Sequence, residues 1–124
     1  MTFEQTDLEA IAKAEEVRIE TRAGDGTTHR TIIWIVEHDG QLYIRSVNGP
    51  TARWFREATA DTAIALLVGD NRWEAHVVPA TDPASIDACS AGLKAKYRGD
   101  HSLGSMLEAD TLPTTLRVVP MVPA

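Results

Sequence analysis

The stretch from Thr28 to Phe55 constrains this chain more than any other. It holds two β-rich runs, Thr28 to His38 and Gln41 to Ser46, joined by Asp39-Gly40. Asp-Gly between such runs selects a two-residue turn with positive φ at both positions, which folds them into an antiparallel hairpin. The first run is apolar at every position from Ile32 to Val36. A strand apolar on both faces is expected to lie centrally in a sheet or barrel and to be covered twice. The second run ends in Arg45-Ser46, and Val47-Asn48-Gly49-Pro50 breaks it. Arg53-Trp54-Phe55-Arg56 follow. Cations, a hydroxyl and free amides at a strand end, with aromatics nearby, suit a phosphate attached to a flat ring system.

The remaining elements follow from periodicity and turn chemistry. Thr6-Asp7-Leu8-Glu9 has the spacing of a capping box, which predicts a short helix from Asp7 to about Ala14 with Thr6 as N-cap. Val17 to Arg22 alternates apolar and polar, the pattern of a half-buried strand, and Ala23-Gly24-Asp25-Gly26 ends it. Thr51 to Ala58 reads as a short helix. Thr62 to Val68 and Arg72 to Val78 read as strands around the turn Gly69-Asp70-Asn71. Asp82 and Pro83 are an N-cap and a first helical residue. Ile86, Cys89, Leu93 and Tyr97 then form one apolar helical face that Gly99 stops. Ser102 to Glu108 is expected to be one more short helix. Thr114 to Val119 is expected to be a last strand before a tail with Pro120 and Pro123. Short strands at roughly ten-residue spacing favour a small antiparallel barrel or a strongly coiled sheet in a single domain, residues 1–124.

Composition removes several functions. Net charge is −6, from 12 basic and 18 acidic residues, which argues against nucleic acid or an anionic membrane as the main partner. No apolar run is long enough to cross a bilayer, no secretory signal is visible, and the single Cys89 excludes an intrachain disulfide. These features favour the cytoplasm. Thr28 to Ala58 departs from the acidic average: Arg30, Arg45, Arg53 and Arg56 outnumber Glu37, Asp39 and Glu57. A locally cationic patch is compatible with a small anionic ligand; the plain alternative is four surface arginines.

Candidate chemistry is sparse. There is no glycine-rich nucleotide loop and no nucleophile elbow. His29, His38, His76 and His101 lack metal-ligand spacing, so no metal site is expected. Cys89 sits on the apolar stripe of its helix, where a structural thiol is expected. No catalytic acid–base dyad stands out. If the chain is an enzyme, the chemistry belongs to a cofactor. Trp34, Trp54 and Trp73 are candidates for ring contacts, and at least one of them is expected to be core packing. Arg45 and Ser46 are the best phosphate candidates, with a cross-strand salt bridge and a turn cap as the alternative roles.

Val17 to Pro79 resembles the flavin- and deazaflavin-binding split-barrel superfamily, the pyridoxamine-phosphate-oxidase-like proteins. The likeness rests on Thr21-Arg22-x-Gly24, Arg30-Thr31-x-Ile33-Trp34, Asp39-Gly40-x-Leu42-Tyr43-Ile44-Arg45-Ser46, Asn48-Gly49 and Arg53-Trp54. Lys94-x-Lys96-Tyr97 and Thr115-Leu116-Arg117-x-x-Pro120 extend it toward a poorly characterised family of short bacterial proteins with that fold. The resemblance implies a mainly β, α+β architecture: a six-stranded antiparallel split β-barrel with short peripheral helices. It also implies a homodimer with cofactor pockets at the subunit interface. Arg30, Thr31, Arg45, Ser46, Asn48, Gly49 and Arg53 would hold a phosphate tail, and Trp34 and Trp54 would flank the ring. The implied cofactor is riboflavin phosphate (FMN) or a deazaflavin coenzyme, serving hydride transfer to a small organic substrate. Asp25 stands where deazaflavin binders commonly have a basic, serine-containing turn, so its charge opposes a polyanionic tail and leaves FMN or no cofactor. Two other readings remain: a non-catalytic module for a flavin, haem or apolar metabolite, and a split barrel that has lost its cofactor.

Overall fold

The long first run of the hairpin does not continue as one strand. In a computed structural model that describes residues 3–121, it divides at Trp34 into β2 (Thr28–Ile33) and β3 (Ile35–His38). The Pro123 part of the expected tail lies outside the described residues. β1 (Val17–Arg22) pairs with β2, while β4 (Gln41–Ile44) pairs with β3. β5 (Ala63–Val68), β6 (Asn71–Pro79) and β7 (Leu116–Pro120) complete a wholly antiparallel sheet in the order β2-β1-β5-β6-β7-β4-β3. The two ends of that order, β2 and β3, are joined through the single residue Trp34. The sheet therefore curls back on itself as a split barrel. Counted by hydrogen bonding it has seven strands; with the bent run taken as one, it has the expected six.

Side-chain parity survives the bend. Ile33, Ile35, Leu42 and Ile44 point into the barrel, where they meet Val17, Ile19, Leu66, Leu116 and Val118. Val36 and Tyr43 point outward and belong to a second apolar layer with Cys89, Leu93 and Met106. Double coverage is thus real at Ile35 and Val36, both buried. It fails at Ile32, which is 55% exposed, because no element among the described residues lies over the outer face there.

The outer layer is built by α3 (Pro83–Lys96), with Asp82 as N-cap accepting from the Ser85 amide and Pro83 in the first turn. A Cβ on Gly92 would stand 2.8 Å from Val36 Cγ2 and 3.3 Å from the Glu37 carbonyl oxygen. Glycine at this position is what lets α3 approach β3. The hairpin turn is as its sequence requires, with positive φ at both Asp39 and Gly40.

α1 (Gln5–Lys13) and α2 (Arg53–Ala60) pack on the barrel core, and α4 (Leu103–Met106) adds to the outer layer. α1 begins earlier than the capping-box spacing predicts: Glu4 is the N-cap, Thr6 lies inside the helix, and no side chain caps it. α2 starts later than expected, because a 3₁₀ turn over Gly49–Thr51 takes up the Gly-Pro break. α4 is a single turn.

Candidate functional site

A cavity of about 300 Å³ opens where the strand bends. Its wall comes from the β2–β3 junction (Ile32, Ile33, Trp34), the end of β4 (Arg45, Val47), α2 (Trp54) and α4 with its preceding turn (Ser102, Ser105, Met106). The bend is what makes the cavity. Trp34, outward by the alternation of the strand, stands on its wall with Arg45 and with Ser102, Ser105 and Met106 from the α4 region.

Arg45 is the group that sets the cavity's electrostatics. It is 1% exposed. Its Nε donates to Thr115 Oγ1 at 2.8 Å, one terminal nitrogen donates to the Met106 carbonyl at 3.2 Å, and the other to the Ile86 carbonyl at 2.9 Å. All three acceptors are neutral, and no carboxylate pairs with Arg45 among the described residues. Those bonds use three of the five guanidinium N–H donors. Burial pushes its pKa down, as expected for a cation removed from water without a counter-ion. A run of buried threonines positions it: Thr111 Oγ1 donates to the Met106 and Glu108 carbonyls, and Thr114 Oγ1 to the Thr111 carbonyl. The cross-strand salt bridge considered for Arg45 does not form; its acceptors come instead from α3 (Ile86), α4 (Met106) and the residue before β7 (Thr115).

The other expected site residues divide. Trp34 and Trp54 line the cavity with Arg45. The Trp34 ring stacks on Tyr97 at 3.9 Å between centroids and 8° between planes, and it packs with the outer layer. Trp54 is buried against the inner core. Trp73 packs beside the inner core and does not line this cavity. Ser46 is buried, and its hydroxyl donates to the Gly49 carbonyl at 2.7 Å. Gly49 is buried at φ +75°, and Asn48 N-caps the 3₁₀ turn. Ser46, Asn48 and Gly49 thus shape the strand exit beside Val47, which is 48% exposed. Arg30 lies on the outer face of β2 directly opposite Glu20, to which it donates at 3.1 Å. Arg72 and then Arg30 hold the Glu20 carboxyl below the usual range. Arg53 donates to Thr31 Oγ1 at 3.2 Å. Arg30, Thr31 and Arg53 therefore lie along β2 and α2, outside the cavity wall.

Two features escape sequence reading. Ile32, Ile33, Val47, Ser102, Ser105 and Met106 line the cavity, yet nothing in their spacing marks them. A carboxylate–histidine pair also exists: His29 Nδ1 lies 3.0 and 3.1 Å from the two Glu57 oxygens, and Thr21 Oγ1 donates to Glu57 at 2.8 Å. Burial pushes the Glu57 carboxyl up, but the Thr21 hydroxyl and the His29 ring outweigh it and hold the group low. The pair fastens α2 to the β1–β2 hairpin. His29 and Glu57 are 28 residues apart, so only the folded topology reveals them. Cys89 is fully buried, and burial raises its thiol pKa to about 11, which keeps it protonated and unreactive at neutral pH. No group of three or more metal-ligating side chains is assembled among the described residues.

A curled antiparallel barrel with a bent strand defines the split-barrel class of folds. Solved structures with the same fold include HutZ, the haem storage protein from Vibrio cholerae, with a TM-score of 0.67 and 11% identity over 99% of this chain and 93% of its own. A candidate pyridoxamine 5′-phosphate oxidase from Listeria innocua superposes with a TM-score of 0.65 and 16% identity, covering 94% of this chain and 92% of its own. An F420 reductase superposes with a TM-score of 0.59 and 19% identity, covering 92% and 93%. The chain itself belongs to the family described as uncharacterized protein conserved in bacteria (DUF2255), whose model matches residues 7–118. Among curated proteins no sequence matches. No helix among the described residues is long and apolar enough to cross a membrane.

Proposed function

We propose that this chain binds a flavin-type cofactor as a homodimer and supports hydride transfer to a small organic substrate. The observation that carries the reading is Arg45, a buried guanidinium with no carboxylate partner among the described residues, at the wall of a cavity it shares with Trp34 and Trp54. A buried cation is costly unless an anion arrives, and indole walls suit a flat ring. The residues fit the group in chemistry: two guanidinium donors remain for an anion, and the rest of the wall is mainly apolar.

They fit it in size only in part, which is the argument for a dimer. About 300 Å³ is at the lower limit of small-molecule sites and suits a ring system better than a whole nucleotide. Exposed Ile32 and Val47 stand at the rim. A second copy over that apolar rim would deepen the cavity and exclude water. Bound flavin supplies the hydride chemistry; the chain's part is to clamp the ring, neutralise the anion and dry the site. The fold shared with an F420 reductase and a candidate pyridoxamine 5′-phosphate oxidase supports this class. FMN is favoured over a deazaflavin with a polyanionic tail. Asp25 is held ionised by the Thr27 amide in the β1–β2 turn, and its charge opposes such a tail. Haem is disfavoured because, among the described residues, no histidine lines the cavity and Met106 supplies the one thioether on its wall.

The test is titration of the apoprotein with FMN, followed by tryptophan emission. The expected result is saturable quenching at one FMN per subunit, retained in Trp73→Phe and lost when Trp34 and Trp54 are both replaced by Phe. Quenching that does not saturate, or that needs Trp73, would refute the assignment.

A further inference from the structure

Behind Trp34 lies a second, more polar cleft of about 710 Å³ that the cofactor reading does not use. Trp34 is a wall common to both cavities. The inner side of the cleft is the C-terminal end of α3 with Lys96 and Tyr97. Lys96 is partly buried there, and its Nζ donates to the Ile35 carbonyl at 2.7 Å. The amine has no ion-pair partner among the described residues. An ammonium facing one neutral carbonyl in a half-buried site is destabilised relative to the free amine. The Tyr97 ring, 5.3 Å away, favours the charged form weakly.

We propose that Lys96 is a nucleophilic amine that forms a reversible imine with a small, uncharged aromatic aldehyde in this cleft. The reaction balances without a redox partner. The Nζ lone pair adds to the carbonyl carbon, the two amine hydrogens end on the carbonyl oxygen, which leaves as water, and a C=N bond replaces C=O. One N–H to Ile35 can persist while the free amine attacks, so the backbone contact aims the lone pair. Negative charge on the ligand is selected against. Lys13 and Arg98 are offset by Glu15, Glu16 and Asp100, so a deprotonated Lys96 leaves the cleft slightly negative. The Trp34–Tyr97 stack gives one aromatic wall. Burial also lowers the Lys96 pKa to about 8, against a weaker opposing effect of Glu15. The amine is therefore substantially free at mildly alkaline pH.

The chain contains only three lysines, Lys13, Lys94 and Lys96, and the first two are exposed. The full-length protein would be incubated with benzaldehyde and cyanoborohydride, which reduces an imine to a stable benzylamine, and the adducts mapped by peptide mass. Lys96 is expected to be labelled about tenfold faster than Lys94 at pH 7.5, because burial holds more of Lys96 as free amine. Its labelling rate should rise with a midpoint near pH 8. Labelling should also shift the Trp34 emission, whereas labelling at Lys94 should not. Lys96→Arg should remove the fast adduct while leaving far-UV circular dichroism unchanged. Equal or faster labelling of Lys94, or a Lys96 rate still climbing steeply above pH 9.5, would overturn the proposal whatever the variant does.

Discussion

Replacing Arg45 by Met separates what this residue does for the fold from what it does for a ligand. Met retains the stem volume and removes the donors and the charge. Three acceptors then lose their partner: Thr115 Oγ1, the Met106 carbonyl and the Ile86 carbonyl. Each buried, unsatisfied group costs about 1–3 kcal/mol, and the cavity beside them lets water recover part of it. Removing a buried cation without a counter-ion returns several kcal/mol. The net loss of stability is therefore expected to be small for so large a change, about 1–3 kcal/mol in urea unfolding. The ligand effect is read as a ratio within each protein, so stability cancels. A guanidinium–phosphate contact is worth about 1.5–3 kcal/mol. The preference for FMN over riboflavin, measured by calorimetry, should thus fall by about 10- to 150-fold in Arg45→Met. An unchanged preference would show that Arg45 is spent entirely on its three internal acceptors.

Trp34→Phe should shift the melting temperature little, because Trp34 is only partly buried and outside the barrel core; loss of the Tyr97 stack costs about 0.5–1.5 kcal/mol. FMN affinity should fall, and a large melting shift with unchanged affinity would contradict the placement of Trp34 as a cavity wall. Gly92→Ala drives a Cβ into Val36 and should destabilise by about 1–3 kcal/mol despite the better helix propensity of Ala. Val36→Ala in the same chain should recover part of that loss, and strict additivity in chemical denaturation would show that the two residues do not touch. Sedimentation should give a dimer at micromolar concentration, with Ile32→Asp shifting it toward monomer; a wild-type monomer would remove the proposed closure over Ile32 and Val47.

Local signals carried most of the fold. Val17–Arg22 is a strand with the boundaries its alternation implies, and Asp39-Gly40 and Asp82-Pro83 form the turn and cap their chemistry demands. The break at Trp34 was not legible, because bending a strand is a tertiary event: β2 must follow β1 while β3 follows β4. Thr6 shows the same limit, since a capping-box spacing does not decide where a helix packed on a barrel begins. For the site, Trp34, Arg45 and Trp54 could be named from local context because they flank a strand end and a breaker. The partners of Arg45 could not, since Ile86, Met106 and Thr115 lie 41, 61 and 70 residues away. The same distance in sequence hid the lining from α4 and the His29–Glu57 pair.

The most direct test of the central claim is the absorption spectrum of the protein purified natively from its own host. The account predicts a yellow protein with flavin bands, whose chromophore is released on denaturation as FMN at one per subunit. A Soret band, or a colourless protein that fails to take up FMN, would contradict it.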